Sequence, residues 1–356
     1  MSRRFVSVLI DTYNHERFIE QAVNSVLEQD FDRSEVEVLV VDDGSTDTTP
    51  EILRKYEPRL RILRKPNGGQ ASAFNHGIPE CTGEIVAFLD GDDWWASNKL
   101  STVADAFCQN PNIGVIGHSI TEVLDDDVRR DELVRDSPRF RIDSVAAARV
   151  FTLRKSFLGT SRMAYRSKVL QRIGPVPKEL VIEADEFLFT MGAVYSEVLL
   201  LREPLTFYRL QGQNLYQLSV NDLSKLSRKR KVLVALSGEL RARFGLERVP
   251  QEIADIIVNA VELEADTLRV AMGEASRFET FRVELREYEF HHGHASTLRK
   301  FLKVLLLLPA LVLPAQTYNA YKRGLTSNAL YRKFRSWIFP FSAPRHVDRM
   351  GDWNHR

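Results

Sequence analysis

Ile85-Val86-Ala87-Phe88-Leu89-Asp90-Gly91-Asp92-Asp93-Trp94-Trp95 decides how the chain is read. Five apolar residues in a row fit a strand buried on both faces, and three carboxylates then fall within four positions. Like charges that close repel and raise one another's proton affinity unless a cation sits among them. Oxygen-only ligands suit a hard divalent ion, Mg2+ or Mn2+, and such an ion suits a phosphate-bearing substrate. The competing explanation is an acidic turn that caps a helix beginning near Ser97, Asp-Gly being a common turn pair.

Upstream of this stretch, strands and helices alternate. Phe5 to Ile10 is a strand run, and Phe18, Ile19, Ala22, Val23, Val26 and Leu27 mark one face of a helix. Val36 to Val41 is a second buried strand ending at Asp42-Asp43-Gly44-Ser45. A helix follows, with Thr48 or Thr49 as cap, Pro50 in its first turn and Glu51 placed for a capping box. Arg61 to Leu63 is a short strand, Asn67-Gly68-Gly69 a turn, and Ala71 to Ile78 a helix. Leu100, Val103, Ala104 and Phe107 line a further helix. This alternation implies an α/β, Rossmann-like, mostly parallel sheet with helices on both faces. Ligands of such sheets sit outside the carboxyl ends of the strands. Asp11-Thr12-Tyr13-Asn14, Asp42-Asp43 and Asp90 to Asp93 all fall there, so one crevice collects them.

Beyond Asn110 the pattern loosens. Gly114 to Gly117 reads as a strand, and Thr121 to Arg141 as an exposed, charged loop region. Gly159 to Tyr165 reads as a strand feeding a short helix that stops at Gly174-Pro175. Val181 to Val194 is a helix with Glu183, Asp185 and Glu186 in its first turns, and Glu197 to Tyr208 a returning strand. Asp222 to Glu289 is helical and highly charged. Three segments are expected: 1–215 catalytic, 216–298 a C-terminal helical region, and 299–356 a basic, apolar tail.

The chain has 356 residues, 44% hydrophobic and 27% charged, which is ordinary for a folded globular protein. Cys81 and Cys108 supply neither a disulfide framework nor metal-ligand spacing and read as small core residues of a reducing compartment. The start, Met1-Ser2-Arg3-Arg4, lacks the long apolar stretch of a signal peptide. From Phe290 to Val347 there is no acidic residue and nine basic ones, which leaves the rest of the chain net acidic. The same region holds the apolar run Val304 to Ala315, too short for a spanning helix, which needs roughly 20 residues. A basic, apolar segment followed by Tyr318, Tyr321, Tyr331 and Trp337 suits a helix lying in the interface of an anionic membrane surface. The alternative is a helix packed on the main domain with a solvated basic face. The lipid reading puts the protein in the cytoplasm, peripheral at the inner face of the cell membrane. His291-His292-Gly293-His294 has no Cys or carboxylate close after Glu289 and reads as a solvated stretch.

In order, the chain carries Val6 to Asn14, Val41-Asp42-Asp43-Gly44-Ser45-Thr46-Asp47, Asn67-Gly68-Gly69, Phe88 to Asp93, Ala184-Asp185-Glu186 and Tyr208-Arg209. On these pieces, spread over residues 5 to 215, it resembles the family 2 nucleotide-sugar glycosyltransferases of the GT-A fold. The resemblance implies that Asp11, Tyr13 and Asp43 hold the nucleotide base, with Asn67 and Asp90 also on the nucleotide. A carboxylate accepts the imide N–H of uracil and an aromatic face stacks on the ring. Simple packing of Tyr13, and a turn-closing bond from Asp43 to Ser45, are the plainer alternatives.

Asp90 with Asp92, or Asp92 with Asp93, match the family's Asp-X-Asp motif, which binds ribose and a divalent cation; Asp92 and Asp93 are the metal candidates. Asp185 aligns with the family's catalytic base, with Glu183 and Glu186 as rivals, or all three carboxylates complement the helix dipole. Arg209 and Gln211 are candidate diphosphate contacts, Gln211 standing where the family often has a His. The implied activity is inverting transfer from a nucleotide-sugar donor, a UDP-sugar above all, to a glycan or lipid-linked acceptor. A catalytically degenerate glycan-binding or scaffold subunit is the alternative. A sugar nucleotidyltransferase is disfavoured because Asp11-Thr12-Tyr13-Asn14-His15 replaces the Gly- and Arg-containing loop that class needs. Nucleic acid is disfavoured by the apolar centre of the basic tail.

Overall fold

The computed structural model describes residues 5–124, 129–134, 138–210, 222–292, 296–314 and 317–322. Strands are β1 (Val6–Thr12), β2 (Val36–Asp42), β3 (Arg61–Arg64), β4 (Ile85–Asp90), β5 (Trp94–Trp95), β6 (Ile113–Val123), β7 (Arg129–Glu132), β8 (Arg139–Phe140), β9 (Ala164–Arg166) and β10 (Glu197–Arg209). Helices α1 to α7 are Ile19–Leu27, Thr49–Arg54, Gln70–Gly77, Lys99–Gln109, Val145–Arg154, Ser167–Ile173 and Ala184–Tyr195. Helices α8 to α12 are Leu223–Leu246, Gln251–Ala271, Arg277–His292, Thr297–Leu307 and Pro309–Val312.

The sheet runs β3-β2-β1-β4-β9-β6-β10-β5, with β7 beside β6 and β8 beside β10. β3, β2, β1 and β4 are parallel, as are β6 and β10; β9 runs antiparallel between the two groups. The expected α/β architecture is therefore present, with antiparallel pieces added. Val8, Leu9, Ile10, Leu39, Val40, Val41, Phe88 and Leu89 are fully buried, which is why these strands carry no polar alternation. Each such side chain contributes about 1.5–3 kcal/mol by leaving water. Strand order reverses at β1: β2 lies on one side and β4, two strands later, on the other. That reversal opens a crevice at the carboxyl ends of β1 and β4.

Four local expectations are corrected. Thr121 to Arg141 contains strand where a loop was expected: among its described residues, β6 extends to Val123, β7 pairs with it, and β8 pairs with β10. Polar residues mask β6 in the sequence, because His118, Ser119, Thr121 and Glu122 are buried in it. They find partners locally, Val134 N–H donating to Ser119 Oγ at 2.7 Å and Thr121 Oγ1 to Asp131 at 2.6 Å. Gly159 to Tyr165 is a 3-10 turn over Thr160–Arg162 leading into β9, rather than one strand. The capping box at α2 does not form: Thr48 Oγ1 donates to Glu16, and Asp47 receives the Thr49 N–H. Cys108 is exposed on α4 rather than in the core.

The chain divides into two compact units, one of residues 1–214 with 239–257 and the other of residues 215–238 with 258–356. Within the second, Leu307, Ala310 and Tyr318 are buried against Phe281, Leu285 and Leu313. Leu302 and Leu306 pack on Tyr288. The opposite side of α11 and α12 exposes Leu298, Phe301, Leu305, Leu308 and Val312 at alternating spacings of three and four. Among the described residues, no helix is long and apolar enough to cross a membrane. The side chains of His291 and His292, and residues 293–295, lie outside the described set.

Candidate active site

Register places the first two acidic residues. Asp11 and Asp90 are paired across β1 and β4, at the reversal of strand order. Gly91 then lets the chain turn: its N–H donates to the Asp11 carbonyl at 2.9 Å. A Cβ there would stand 2.6 Å from Thr12 Oγ1 and 2.7 Å from His15 Nδ1, so a side chain would have to displace both of these side chains. Asp90 N–H donates to Ser161 Oγ at 3.0 Å. Asp93 accepts the Arg209 N–H at 2.9 Å, and Arg209 Nε donates to the Asp92 carbonyl at 2.9 Å. The Arg209 guanidinium lies 4.7 Å from the ring of Phe18 and 4.5 Å from that of Trp94, which stacks on Phe207 at 5.2 Å. A bulge in β10 near Pro204 brings Phe207 opposite Trp94 and so delivers Arg209 to this turn. Arg209 thus braces the backbone of the acidic turn. Gln211 lies outside the described residues.

The carboxylates act on one another. Burial pushes Asp11 up to about 8, with Asp92 and Asp185 adding to the shift. Burial and then Asp92 push Asp93 up to about 8. Burial, then Asp11, Asp93, Asp92 and Asp185, raise Asp90 well above the usual carboxylate range. Asp185 is pushed up to about 6, by burial first and Glu183 next, against hydrogen bonds from Thr160 and Glu186. Asp11, Asp90, Asp92, Asp93 and Asp185 therefore belong to one electrostatic cluster. Two of its oxygens, Asp11 Oδ1 and Asp93 Oδ2, are buried without a hydrogen-bond partner among the described residues.

Among the described residues, no three His, Cys, Asp or Glu side chains are disposed to hold a metal ion by themselves. Nucleotide-bound Mg2+ ordinarily takes only one or two carboxylates, the remainder coming from phosphate and water. An orphaned, oxygen-only, mutually repelling donor set fits an ion bound in that way.

Beyond the end of β2, the Asp43 carboxylate is engaged by its own chain. It accepts N–H bonds from Gly68 at 3.1 Å and Gly69 at 2.7 Å, and pairs with Lys65. The Ser45 N–H goes instead to Asp42 at 2.8 Å. Asp43 therefore shapes the Asn67-Gly68-Gly69 loop. Gly69 has φ +80° and lies so close to Val181 that a Cβ would stand 2.7 Å from the Val181 carbonyl. Tyr13, 43% exposed, and the exposed Asn67 present their side chains to solvent at this rim. Asn14 Oδ1 accepts the Thr46 N–H at 2.8 Å, tying the loop after β1 to the loop after β2.

Asp185 opens α7. Its Oδ2 accepts from Thr160 N at 3.1 Å and Thr160 Oγ1 at 3.2 Å, and its Oδ1 from Glu186 N at 2.9 Å. Glu186 pairs with Lys155, and Glu183 caps the helix in the left-handed region at φ +59°. Left-handed backbone is costly for a non-glycine residue and recurs at functional sites.

Sequence reasoning missed the two-residue hub Thr160-Ser161, which touches both ends of the site: Thr160 holds Asp185 and Ser161 holds Asp90. It also missed Lys99, fully buried, whose Nζ donates to the Ser161 carbonyl at 2.7 Å and lies 4.0 Å from the centre of the Trp95 ring. A lysine on an amphipathic helix gives no sequence signal that it points inward. Burial pushes its amine well below the usual lysine range. Lys99→Met removes the Nζ bonds to the Ser161 carbonyl and to Thr206 Oγ1, but that carbonyl keeps the Thr206 hydroxyl at 2.7 Å, so the expected cost is about 1–2 kcal/mol. Urea unfolding monitored by Trp fluorescence checks this.

Residues 7–174 match the family described as Glycosyl transferase family 2. An uncharacterized glycosyltransferase of Nostoc sp. is 32% identical over 259 residues, covering 71% of this chain and 76% of that protein. Among solved structures, residues 1–349 of TarS from Staphylococcus aureus in complex with UDP-GlcNAc give a TM-score of 0.52 at 20% identity, covering 90% of this chain and 92% of that one. The mannosyltransferase PcManGT from Pyrobaculum calidifontis, in complex with GDP-Man and Mn2+, gives 0.51 at 19% identity, covering 100% and 89%. The fold is that of the GT-A glycosyltransferases. With its acidic turn, its β1–β4 crevice and this relative in hand, the chain belongs to glycosyltransferase family 2.

Proposed function

We propose that the chain moves a sugar, with inversion, from a nucleoside-diphosphate sugar, a UDP-sugar above all, to a hydroxyl of a glycan or lipid-linked acceptor. The observation that carries this reading is the convergence of Asp11, Asp90, Asp92, Asp93 and Asp185 on one crevice. Tyr13 stacks on the base, Asn67 and the Asp43-shaped loop flank it, and Asp90 takes the ribose. Asp92 and Asp93 hold a divalent cation, Mn2+ or Mg2+, which when bound offsets charge on the departing diphosphate. Arg209 keeps the turn in place for it. Asp185 removes the acceptor's proton as the oxygen attacks the anomeric carbon from the face opposite the phosphate.

A screen of nucleotide sugars by thermal shift, with Mn2+ and with EDTA, tests the donor reading. One nucleotide sugar should raise the melting temperature only with metal; a response to none of them, or one indifferent to metal, would contradict it. Because Asp185 works only when ionised and its proton affinity is raised, kcat should fall as pH drops through about 6. A kcat that stays level from pH 8 to pH 5 would remove Asp185 from the role.

We also assign the apolar stripe Leu298-Phe301-Leu305-Leu308-Val312 to an anionic lipid surface. The support is complementarity: the stripe is exposed, and the sequence from Phe290 to Val347 has nine basic residues and no acidic one. Lys303 and Lys322 are paired with Glu284, so the remaining basic residues supply the attraction. The chain should pellet with phosphatidylglycerol vesicles, and F301D/L305D should stay in the supernatant. Equal pelleting of both would end the assignment.

A further inference from the structure

Gln70, the first residue of α3, follows directly on the loop that Asp43 shapes, and its side chain crosses to the catalytic helix. Its Oε1 accepts the Ala184 N–H at 2.9 Å, which fixes the amide so that Nε2 faces Thr160. Nε2 donates to Thr160 Oγ1 at 3.0 Å. A threonine hydroxyl has one proton. Since its oxygen already accepts from Gln70, that proton points to Asp185 Oδ2, 3.2 Å away. The Thr160 N–H ends on the same oxygen at 3.1 Å. Oδ2 is thereby doubly satisfied, whereas Oδ1 receives a single bond, from Glu186 N. Upstream, Gly69 N–H donates to Asp43 and Gln70 N–H to the Val181 carbonyl, so the nucleotide loop and the entry to α7 share one backbone.

We propose that Gln70 and Thr160 are positioning residues for Asp185: they occupy its Oδ2, leave Oδ1 to take the acceptor's proton, and tie that arrangement to the nucleotide loop held by Asp43. The proposal rests on the reading of Asp185 as the base. Neither side chain is itself a proton acceptor for substrate. What they supply is a hydrogen-bond chain of fixed polarity, Gln70 Nε2 donating to Thr160 Oγ1 and Thr160 Oγ1 to Asp185 Oδ2. This favours the ionised form of Asp185 against burial and against the neighbouring acids.

The charged and titratable groups facing Asp185 are Glu183 and Glu186 on its own helix entry, Lys155 paired with Glu186, Asp11 of β1, Asp90 of β4 and Tyr165 of β9. None is altered by a change at position 70 or 160, so a moved pH profile reports the lost bond. The experiment measures donor Kd by calorimetry and kcat against pH at saturating donor for wild type, T160V, T160S, Q70M and D185N. T160V should lower kcat on the order of tenfold and move the acid limb upward by roughly one pH unit, with donor Kd within about twofold. Q70M should shift the limb the same way by less, because Thr160 keeps its hydroxyl but loses its enforced direction. T160S should restore the wild-type profile. An acid limb unmoved in T160V, or not restored by T160S, overturns the proposal while the base reading stands. Full activity in D185N overturns the base reading, and this proposal falls with it.

Discussion

Replacing Asp185 by Asn is expected to abolish transfer while the donor still binds with nearly wild-type affinity. The amide keeps the shape of the carboxylate, and its oxygen can still accept from Thr160 N and Oγ1. What it loses is the capacity to take a proton. General-base catalysis contributes typically about 10²–10⁴-fold, so kcat should fall by at least two orders of magnitude. The donor contacts assigned here lie on β1, β4 and the Asn67-Gly68-Gly69 loop, and Asp185 is not itself one of them. Calorimetric titration with the donor identified in the screen, alongside a product assay, separates the two effects. Lost donor affinity with retained turnover would remove Asp185 from the role.

The second large effect is expected at Asp93, where function and stability pull in opposite directions. Its carboxylate is 1% exposed, lies beside Asp92, and leaves Oδ2 without a partner among the described residues. Asp93→Asn keeps an oxygen for the Arg209 N–H and removes a buried like charge. The metal-free variant should therefore be more stable than wild type by about 1–2 kcal/mol. The sign with pH follows from the raised proton affinity. A folded-state value of about 8 exceeds the unfolded carboxylate's roughly 3.9, so the folded protein holds more protons between those limits. The contribution of Asp93 to stability is complete below about pH 4 and is lost as pH rises to about 8. The advantage of the Asn variant should widen across that window and level off above it. Urea unfolding in EDTA at pH 5 and pH 8 reads this directly, and a variant less stable at both would contradict it. In the presence of Mn2+ and donor, the ranking should reverse.

The carboxyl-end crevice was legible because buried parallel strands have an unbroken apolar signature, and the residue that ends each one is conspicuous when it is acidic. Asp11 near the end of β1, Asp90 at the end of β4 and Asp93 in the turn that follows needed only that reading. Other parts of the site were not legible. Asp43 is conspicuous in sequence, but its bonds to Gly68, Gly69 and Lys65 are not, because they come from the long-range approach of β2 to the loop before α3. Thr160, Ser161 and Gln70 are small or neutral polar residues in segments without periodicity. Their roles come from hydrogen bonds to residues up to 114 positions distant. The first half of β6 was legible as Gly114 to Gly117, but its continuation to Val123 escaped because His118 and Glu122 look like surface residues while being buried. β7, all charged, is a strand only because the edge of β6 offers it backbone partners. Long-range pairing overrode local propensity in each case.

The central claim is that acidic residues from both halves of the first compact unit share one donor and metal pocket. Anomalous diffraction from crystals grown with UDP and Mn2+ tests it most directly. The account predicts a manganese peak on the carboxylates of the Asp90–Asp93 turn, with diphosphate oxygens completing its shell and uracil against Tyr13. A manganese peak elsewhere, or UDP bound away from the β1–β4 crevice, would contradict it.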